Sequence, residues 1–368
     1  GRGTSGLGLL LLAWLAATTR PAAGSEVRLP PGFVREVLAG PDLPEPMDLA
    51  FAPDGALWIT GRQGDLWRLD PATRHRHRVG RLPADASGDR GLHGLALSPD
   101  FAARAGLFLF YHAPQHPPGK YRSRVSRFEV LGRGTNSVLD LASERILLEF
   151  DGEEGAQHVG GGLLAHPAEH LLYVTTGDNN YIWKLKEYCH DPANQAVSPG
   201  DLRGKVLRIG FDGSIPPGNP FAGRAGARGE VFTCGHRQPW QLEYDPPTRM
   251  ILLAENGGDE ADDHEEINRL VPGANYGWPR AFANGLETAT RTNRGPGTTA
   301  PWFMYRRNQG GSCTGALLYR PPAGSRGFPA RYAGGLFYSD YNRKSVRFAP
   351  VDPQTLQPGP SEAFAQQL

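Results

Sequence analysis

The stretch that decides the fold is LAFAPDGALWITGRQGDLWRL, residues 49–69. An apolar segment ends in a Pro-Asp-Gly turn, an apolar run follows, and a short polar turn leads to a second run. Such runs, bounded by turns rich in Pro, Asp and Gly, are typical of antiparallel strands joined by hairpins. The stretch therefore predicts consecutive strands over residues 56–60 and 65–69.

The same phrase returns along the chain, which gives five copies in all. Each copy carries a proline in its first turn, and these prolines stand at positions 53, 99, 167, 246 and 321. Successive prolines are 46, 68, 79 and 75 residues apart, so the unit is a strand module with variable insertions. Four-stranded modules at such intervals favour the blades of an all-β propeller. A β-sandwich needs a less regular return of the phrase.

The composition agrees with an all-β chain and argues against several classes of function. Gly 48 and Pro 33 make up about a fifth of the 368 residues, which is typical of many short strands joined by turns. Lys and Arg number 39 against 38 Asp and Glu, so the charge favours neither a nucleic acid nor an anionic membrane as partner. The sequence has no phosphate-binding glycine loop and no zinc-type His-Glu-x-x-His or Cys-x-x-Cys pair.

The N-terminus has the pattern of a secretory signal. Residues 7–17 are an apolar run that follows Arg2 and precedes small residues. The run is too short to span a bilayer, which takes ~20 residues. We interpret residues 1–24 as a signal peptide and 25–368 as the mature β-propeller domain, secreted or periplasmic. A buried N-terminal strand is the alternative.

A second informative stretch, residues 230–279, concentrates turn-forming and charged residues. Six acidic side chains lie between Glu255 and Glu265, and apolar runs flank them. Carboxylate-rich loops either bind a hard cation or remain solvated. The pattern leaves both alternatives open.

Short motifs from about residue 31 to about residue 350 carry a resemblance to a known family. They are Gly91-Leu92-His93-Gly94-Leu95-Ala96, His158 with Gly160-Gly161, Thr176-Gly177-Asp178, Gly204-Lys205-Val206-Leu207-Arg208-Ile209, Gly235-His236-Arg237-Gln238-Pro239 and Asn275-Tyr276-Gly277-Trp278. Through them the chain resembles the soluble glucose/sorbosone dehydrogenase family of quinoproteins. The resemblance implies a six-bladed propeller that uses pyrroloquinoline quinone (PQQ) and calcium to oxidise a sugar.

Five visible modules against six implied blades predict a chain that is truncated at its C-terminus, with an incomplete last blade. The fifth copy ends near Val351, and the tail 352–368, rich in Pro and Gln, predicts no further strand. A strand expected around residues 33–38 then lacks a partner.

Two residues are expected to be catalytic. His158 matches the family's general base, which takes the proton of the sugar's anomeric hydroxyl, and an imidazole with an unperturbed pKa near ~6.5 suits that task. Its alternative is a turn histidine without chemistry. Arg237 matches an arginine that contacts PQQ, and its guanidinium offers a fixed fork of donors to quinone oxygens. The alternative for Arg237 is a salt bridge to the acidic loop.

The resemblance implies further contacts to cofactor, substrate and metal. Gln238, where the family usually has Asn, and the basic pair Arg343 and Lys344 are expected at PQQ. Asp89 lies where the family places a polar side chain over the substrate, and Gln157 replaces an acidic residue of the glucose-oxidising members.

The calcium site implied by the resemblance uses backbone oxygens. Gly257 and Gly258 match the two positions whose carbonyls bind the ion, and glycine lets the chain turn sharply toward it.

Together these features predict PQQ-dependent oxidation of an aldose at C1 to a lactone, with electrons passed to an acceptor that the sequence does not identify. One alternative is a non-catalytic extracellular binding propeller, which Gln157, Gln238 and Gly258 favour over the enzyme. The other is a calcium-dependent lactonase on the same scaffold.

Overall fold

The fold is built almost entirely from short strands. The computed structural model describes residues 27–153, 157–179, 202–258, 263–278, 298–307, 311–321 and 327–368. These residues form twenty strands: β1 Pro46–Phe51, β2 Leu57–Gly61, β3 Asp65–Leu69, β4 Arg76–Arg81, β5 Leu92–Leu97, β6 Gly106–Ala113, β7 Lys120–Leu131, β8 Val138–Glu153, β9 Leu163–Ala165, β10 Leu171–Thr176, β11 Lys205–Gly210, β12 Val231–Cys234, β13 Gln238–Asp245, β14 Met250–Asn256, β15 His264–Arg269, β16 Phe303–Arg306, β17 Cys313–Leu318, β18 Leu336–Asp340, β19 Ser345–Ala349 and β20 Glu362–Gln366. None of the helices among the described residues is long and apolar enough to cross a bilayer.

The strands pair in chain order into five antiparallel sheets of four strands, β1–β4, β5–β8, β9–β12, β13–β16 and β17–β20. The predicted all-β propeller architecture is thereby confirmed. The family resemblance implied six blades, whereas the described residues form five sheets. The prediction that sequence is missing after the C-terminus stays a prediction.

The five prolines that marked the sequence modules occupy the same place in every sheet. Each lies between the first and the second strand, after β1, β5, β9, β13 and β17 respectively. Proline fixes φ and has no N–H to donate, so it suits a turn between paired strands and not the strands themselves. The module boundaries predicted from the sequence are confirmed.

The C-terminal tail contains a strand that the sequence analysis did not predict. β20 lies within residues 352–368 and pairs antiparallel with β19, with Gln366 opposite Ser345. Phe364 and Ala365 of this strand are buried. The expectation of a strandless tail was wrong, because this short strand depends on burial against the rest of the fifth sheet.

The N-terminal segment contacts both the first and the fifth sheet. Arg28 exchanges two backbone hydrogen bonds with Gln366, both 3.1 Å, and Phe33 packs on the apolar cluster of the fifth sheet. Leu38 and Ala39 pack on the cluster of the first sheet. The strand expected around residues 33–38 is absent from the structure; the only pairing of this described segment is the bridge at Arg28.

Apolar side chains between neighbouring sheets form the core. Leu66 and Leu107 belong to one cluster of the first two sheets, and Phe108 and Leu172 to a cluster of the second and third. Further clusters join the third sheet to the fourth and the fourth to the fifth. Each sheet thus packs face to face on the next sheet along the chain, as the blades of a propeller do.

Candidate functional site

The predicted site residues lie in equivalent connections of the five sheets. Strands alternate in direction within a meander, so the connections after the second and the fourth strand leave a sheet at the same end. These connections hold Asp89 after β4, Gln157 and His158 after β8, Asp178 after β10, Arg237 after β12, Gly257 and Gly258 after β14, and Arg343 and Lys344 after β18. Contacts among the loops of His158, Asp89, Asp178 and Arg237 show that the first four sheets present this end to one side.

A histidine–carboxylate pair joins two of these connections. Nδ1 of His158 lies 2.8 Å from Oδ1 of Asp178, and the two side chains are 14% and 5% exposed. The backbone N–H of Asp178 donates to the carbonyl of Arg237 at 2.8 Å. A carboxylate at Nδ1 favours the proton on that nitrogen and leaves Nε2 as the proton acceptor.

The backbone of His158 is held in a strained conformation. Its φ is +53° and that of Asn179 is +62°, both in the left-handed region that non-glycine residues seldom adopt. The N–H of His158 donates to Oδ2 of Asp89 at 3.3 Å. Its carbonyl accepts from the backbone N–H of Asn179 at 3.3 Å and from the Asn179 side chain at 3.4 Å. Polar partners on both sides of the residue therefore fix the direction of the imidazole.

Gly177 permits this close approach. A Cβ at residue 177 would lie 1.8 Å from the carbonyl oxygen of His158 and 2.6 Å from Oε1 of Gln238. Real Cβ contacts are never that short, so the position accepts only glycine. The Thr-Gly-Asp motif thus places Asp178 and makes room for His158 at the same time.

Arg237 lies next to the histidine pair on an aromatic support. Its side chain is 3% exposed, and its guanidinium carbon is 5.4 Å from the centre of the Trp278 ring. Nε1 of Trp278 donates to Oδ2 of Asp178 at 2.7 Å. Asp178 therefore contacts both His158 and Trp278, and the Trp278 ring lies beside the guanidinium of Arg237.

A buried network fixes the backbone at Arg237. The N–H of Arg237 donates to Oε1 of Glu255 at 2.6 Å. Oε2 of the same carboxylate is 2.7 Å from Nδ1 of His236 and accepts from Asn268 at 3.0 Å. Glu255, expected in the acidic loop, is only 1% exposed and points into the protein. Glu255 lies in β14 and contacts Arg237 through the backbone N–H, so this contact is not the salt bridge to the acidic loop that was the alternative for Arg237.

Comparison with known proteins identifies the family. The family model described as "Glucose / Sorbosone dehydrogenase" matches residues 43–349. The chain belongs to this family.

Two relatives are similar to this glucose/sorbosone dehydrogenase family member in sequence, and two solved structures are similar to it in fold. Quinoprotein glucose dehydrogenase B of Acinetobacter calcoaceticus is 31% identical over 251 residues, 65% of this chain and 51% of that protein. Aldose sugar dehydrogenase YliI of Escherichia coli K12 is 30% identical over 241 residues, 65% of this chain and 60% of that protein. The chain thus spans half to three fifths of the length of these relatives.

The solved structures extend the similarity over nearly the whole chain. The soluble aldose sugar dehydrogenase of Escherichia coli in its apo form has a TM-score of 0.72 at 25% identity, over 93% of this chain and 90% of that one. The PQQ-bound aldose sugar dehydrogenase of Streptomyces coelicolor has a TM-score of 0.68 at 24% identity, over 94% and 86% of the two chains, and shows the shared fold.

Gln238 and His93 together fix the backbone of Gly160, two residues after His158. Oε1 of Gln238 accepts the N–H of Gly160 at 3.2 Å, so its amide nitrogen remains the atom suited to the predicted donor role. Nδ1 of His93 is 3.1 Å from the carbonyl oxygen of Gly160. Burial lowers the pKa of His93 to about 4, so this imidazole is neutral at physiological pH and serves the turn.

The remaining predicted cofactor and substrate residues are more exposed. Asp89 contacts the backbone of His158, and Gln157 precedes that residue on the surface. Arg343 and Lys344 are exposed in the turn between β18 and β19, where the N–H of Arg343 donates to Asp340 at 2.9 Å. They lie in the fifth sheet, whereas His158 and Arg237 precede the first strands of the third and fourth.

The donor set around Arg237 fits PQQ in kind. PQQ is a planar, anionic quinone, and a guanidinium offers parallel N–H donors to carboxylate or quinone oxygens. The amide of Gln238 adds a neutral donor to the same position. Arg237 and Gln238 would therefore hold the cofactor beside His158.

Gly257 and Gly258, the two residues predicted to bind calcium, fit that ion poorly. The carbonyl of Gly258 accepts a hydrogen bond from Nη1 of Arg307 at 2.7 Å, so a guanidinium already occupies one of the two expected ligand oxygens. The N–H of Gly257 donates to Glu265 at 3.3 Å. Within the described ranges no group of three or more His, Cys, Asp or Glu side chains could hold a metal ion.

Two members of the site were missed by sequence reasoning. Asp178 was noted only as part of a motif, and Trp278 only as the end of Asn-Tyr-Gly-Trp. The signal for Asp178 is its place in a Thr-Gly-Asp turn directly after a strand, where a carboxylate can reach the next loop.

Proposed function

We propose that this protein is a PQQ-dependent aldose dehydrogenase that oxidises the C1 hydroxyl of a sugar to a lactone. The observation that carries the proposal is the His158–Asp178 pair beside the Arg237–Trp278 pair, on one face of a propeller of the glucose/sorbosone dehydrogenase family. Relatives named as quinoprotein glucose dehydrogenase and aldose sugar dehydrogenase support an oxidoreductase.

In this mechanism Nε2 of His158 takes the proton of the C1 hydroxyl. The oxygen's electron pair forms the C1 carbonyl as the C1–H bond breaks, so the sugar loses one proton and one hydride. Asp178, hydrogen-bonded to Nδ1, stabilises the imidazolium that results and holds the ring in place. When bound, PQQ supplies the two-electron acceptor for the hydride.

Arg237 has an electrostatic role. Its guanidinium, fixed by the Trp278 ring and by Glu255 at its backbone, would hold the anionic cofactor and stabilise the negative charge that develops on it. Because these groups are ordered before the reaction, little reorganisation accompanies the transfer. The exposed Asp89 and Gln157 would contact the sugar at the open side of His158.

A non-catalytic binding propeller is the second candidate, and one observation favours it. The Gly258 carbonyl, expected to bind calcium, is engaged by Arg307. The same contact argues against a calcium-dependent lactonase. The proposal further includes a secreted or periplasmic protein, supported by the apolar run at residues 7–17.

The test is to add PQQ at micromolar concentration to residues 25–368 and to follow both its absorbance and aldose-dependent reduction of a dye. We expect saturable PQQ binding and sugar-dependent dye reduction. Arg237→Gln should weaken PQQ binding by at least ~10-fold, since it removes a charged donor. Arg81→Gln, an exposed arginine of β4, is the matched control and should change neither. Wild-type protein without any PQQ-dependent spectral change would refute the proposal.

A further inference from the structure

A side chain of the protein supplies a cation at Gly258, in the connection after β14. Nη1 of Arg307 lies 2.7 Å from the carbonyl oxygen of Gly258 and 3.3 Å from Oε1 of Glu265. The other oxygen of Glu265 accepts the N–H groups of Gly257 at 3.3 Å and Cys313 at 2.9 Å. One guanidinium thus joins a backbone carbonyl to a carboxylate whose side chain is 0% exposed.

Strand pairing determines where this guanidinium lies. Glu265 of β15 is opposite Tyr305 of β16, and Arg307 directly follows that strand. The backbone N–H of Arg307 donates to the carbonyl of Asp263 at 2.8 Å. The side chain of Arg307 is only 25% exposed. Its position therefore follows from the register of the fourth sheet and from two side-chain contacts.

The contacts of Arg307 are those that a hard divalent cation would make. Calcium binds carbonyl and carboxylate oxygens at about 2.3–2.6 Å. An ion bound to the Gly258 carbonyl at that distance would compete with Nη1 for the same oxygen and would be repelled by the guanidinium charge. The side chain of Glu265 is 0% exposed, so its carboxylate needs hydrogen-bond donors and a positive neighbour. Arg307 supplies both, with Nη1 at 3.3 Å from Oε1 of Glu265.

We propose that Arg307 is the built-in cation of the site formed by Gly257 and Gly258 together with Glu265 of β15, and that it takes the place of calcium there. Gly257, Gly258 and Glu265 then keep these contacts in the absence of divalent ions. This inference concerns the folding of the loop and does not depend on dehydrogenase activity.

The experiment compares melting temperatures in calcium chloride and in EDTA, together with calcium titration by calorimetry. Wild-type protein should melt within about 1 °C in the two buffers. Arg307→Gln should melt several degrees lower, because it leaves the Glu265 carboxylate without its cation. Arg306→Gln, the exposed neighbour at the end of β16, is the matched control and should melt like wild type.

Arg307→Lys separates charge from shape and also serves if the glutamine variant does not fold. We expect it to melt above Arg307→Gln and to remain insensitive to calcium; a lysine variant as unstable as the glutamine variant would overturn the proposal. A saturable calcium response of wild type that Glu265→Gln abolishes would also overturn it. A response that Glu265→Gln leaves unchanged arises from another site and agrees with a calcium-free loop.

Discussion

Replacing Asp178 with asparagine should disable catalysis while leaving the propeller folded. Oδ1 of Asp178 lies 2.8 Å from Nδ1 of His158, and Oδ2 accepts a hydrogen bond from Nε1 of Trp278 at 2.7 Å. Asparagine has one acceptor oxygen and one donor nitrogen, so it can satisfy only one of these two N–H groups. If the amide nitrogen faces His158, the imidazole proton moves to Nε2, and that atom can no longer take the substrate proton.

The size of the effect follows from what is lost. General-base catalysis contributes ~10²- to 10⁴-fold in rate, which corresponds to about 3–5 kcal/mol of activation free energy. The hydrogen bond that cannot be remade in this nearly buried site costs about 1–3 kcal/mol of stability. The increase in activation free energy should therefore be at least as large as the loss of folding stability.

The assay is the steady-state rate of aldose-dependent dye reduction by the PQQ-loaded variant, with PQQ affinity measured separately. Trp278→Phe removes only the second donor and should lose less activity than Asp178→Asn. Asp212→Asn, an exposed aspartate, controls for loss of charge. A kcat for Asp178→Asn within about threefold of wild type would refute the role given to the pair.

Two further predictions concern stability. Burial, with the carboxylates of Asp245 and Asp48 as further causes, raises the pKa of Glu243 from its usual 4.5 to about 8. A carboxyl with a raised folded-state pKa stabilises the protein at low pH, and this stability is lost as the pH rises from 4.5 to 8. Glu243→Gln should therefore reduce the fall in the free energy of unfolding between pH 5 and pH 8, measured with urea, by on the order of 1–3 kcal/mol. An unchanged fall would contradict the raised pKa of Glu243. Phe33 packs edge-on against three aromatic rings of the fifth-sheet cluster at 4.8, 5.6 and 4.9 Å, so Phe33→Ala should cost about 2–3 kcal/mol in urea unfolding. Its neighbour Val34 is 91% exposed, and Val34→Ala should cost less than about 0.5 kcal/mol; equal losses would show that the N-terminal segment does not hold the outer sheet.

The sequence predicted the module boundaries well because the signal is local. Each marking proline acts on its own turn, and the apolar runs beside it form the first and second strands. The tail strand β20 escaped prediction for the opposite reason. Its stability comes from the burial of Phe364 and from pairing with β19, and neither can be read from Pro- and Gln-rich neighbours.

The candidate site was predicted in part for similar reasons. The family motifs pointed to His158 and Arg237, and the structure places both in neighbouring loops. Their partners depend on contacts between distant residues: Asp178 is 20 positions from His158, and Trp278 is 100 positions from Asp178. The contact of Arg307 with Gly258 spans 49 positions and also has no local signature.

The most direct measurement is the absorbance of PQQ-loaded protein after rapid mixing with an aldose, without an electron acceptor. Wild type should reduce the bound quinone in a single turnover. His158→Ala should bind PQQ with the same Kd but reduce it ~10²- to 10⁴-fold more slowly, because the base acts on the sugar and not on the cofactor. Equal rates in the two proteins, or no reduction in wild type, would contradict a dehydrogenase in which His158 takes the substrate proton.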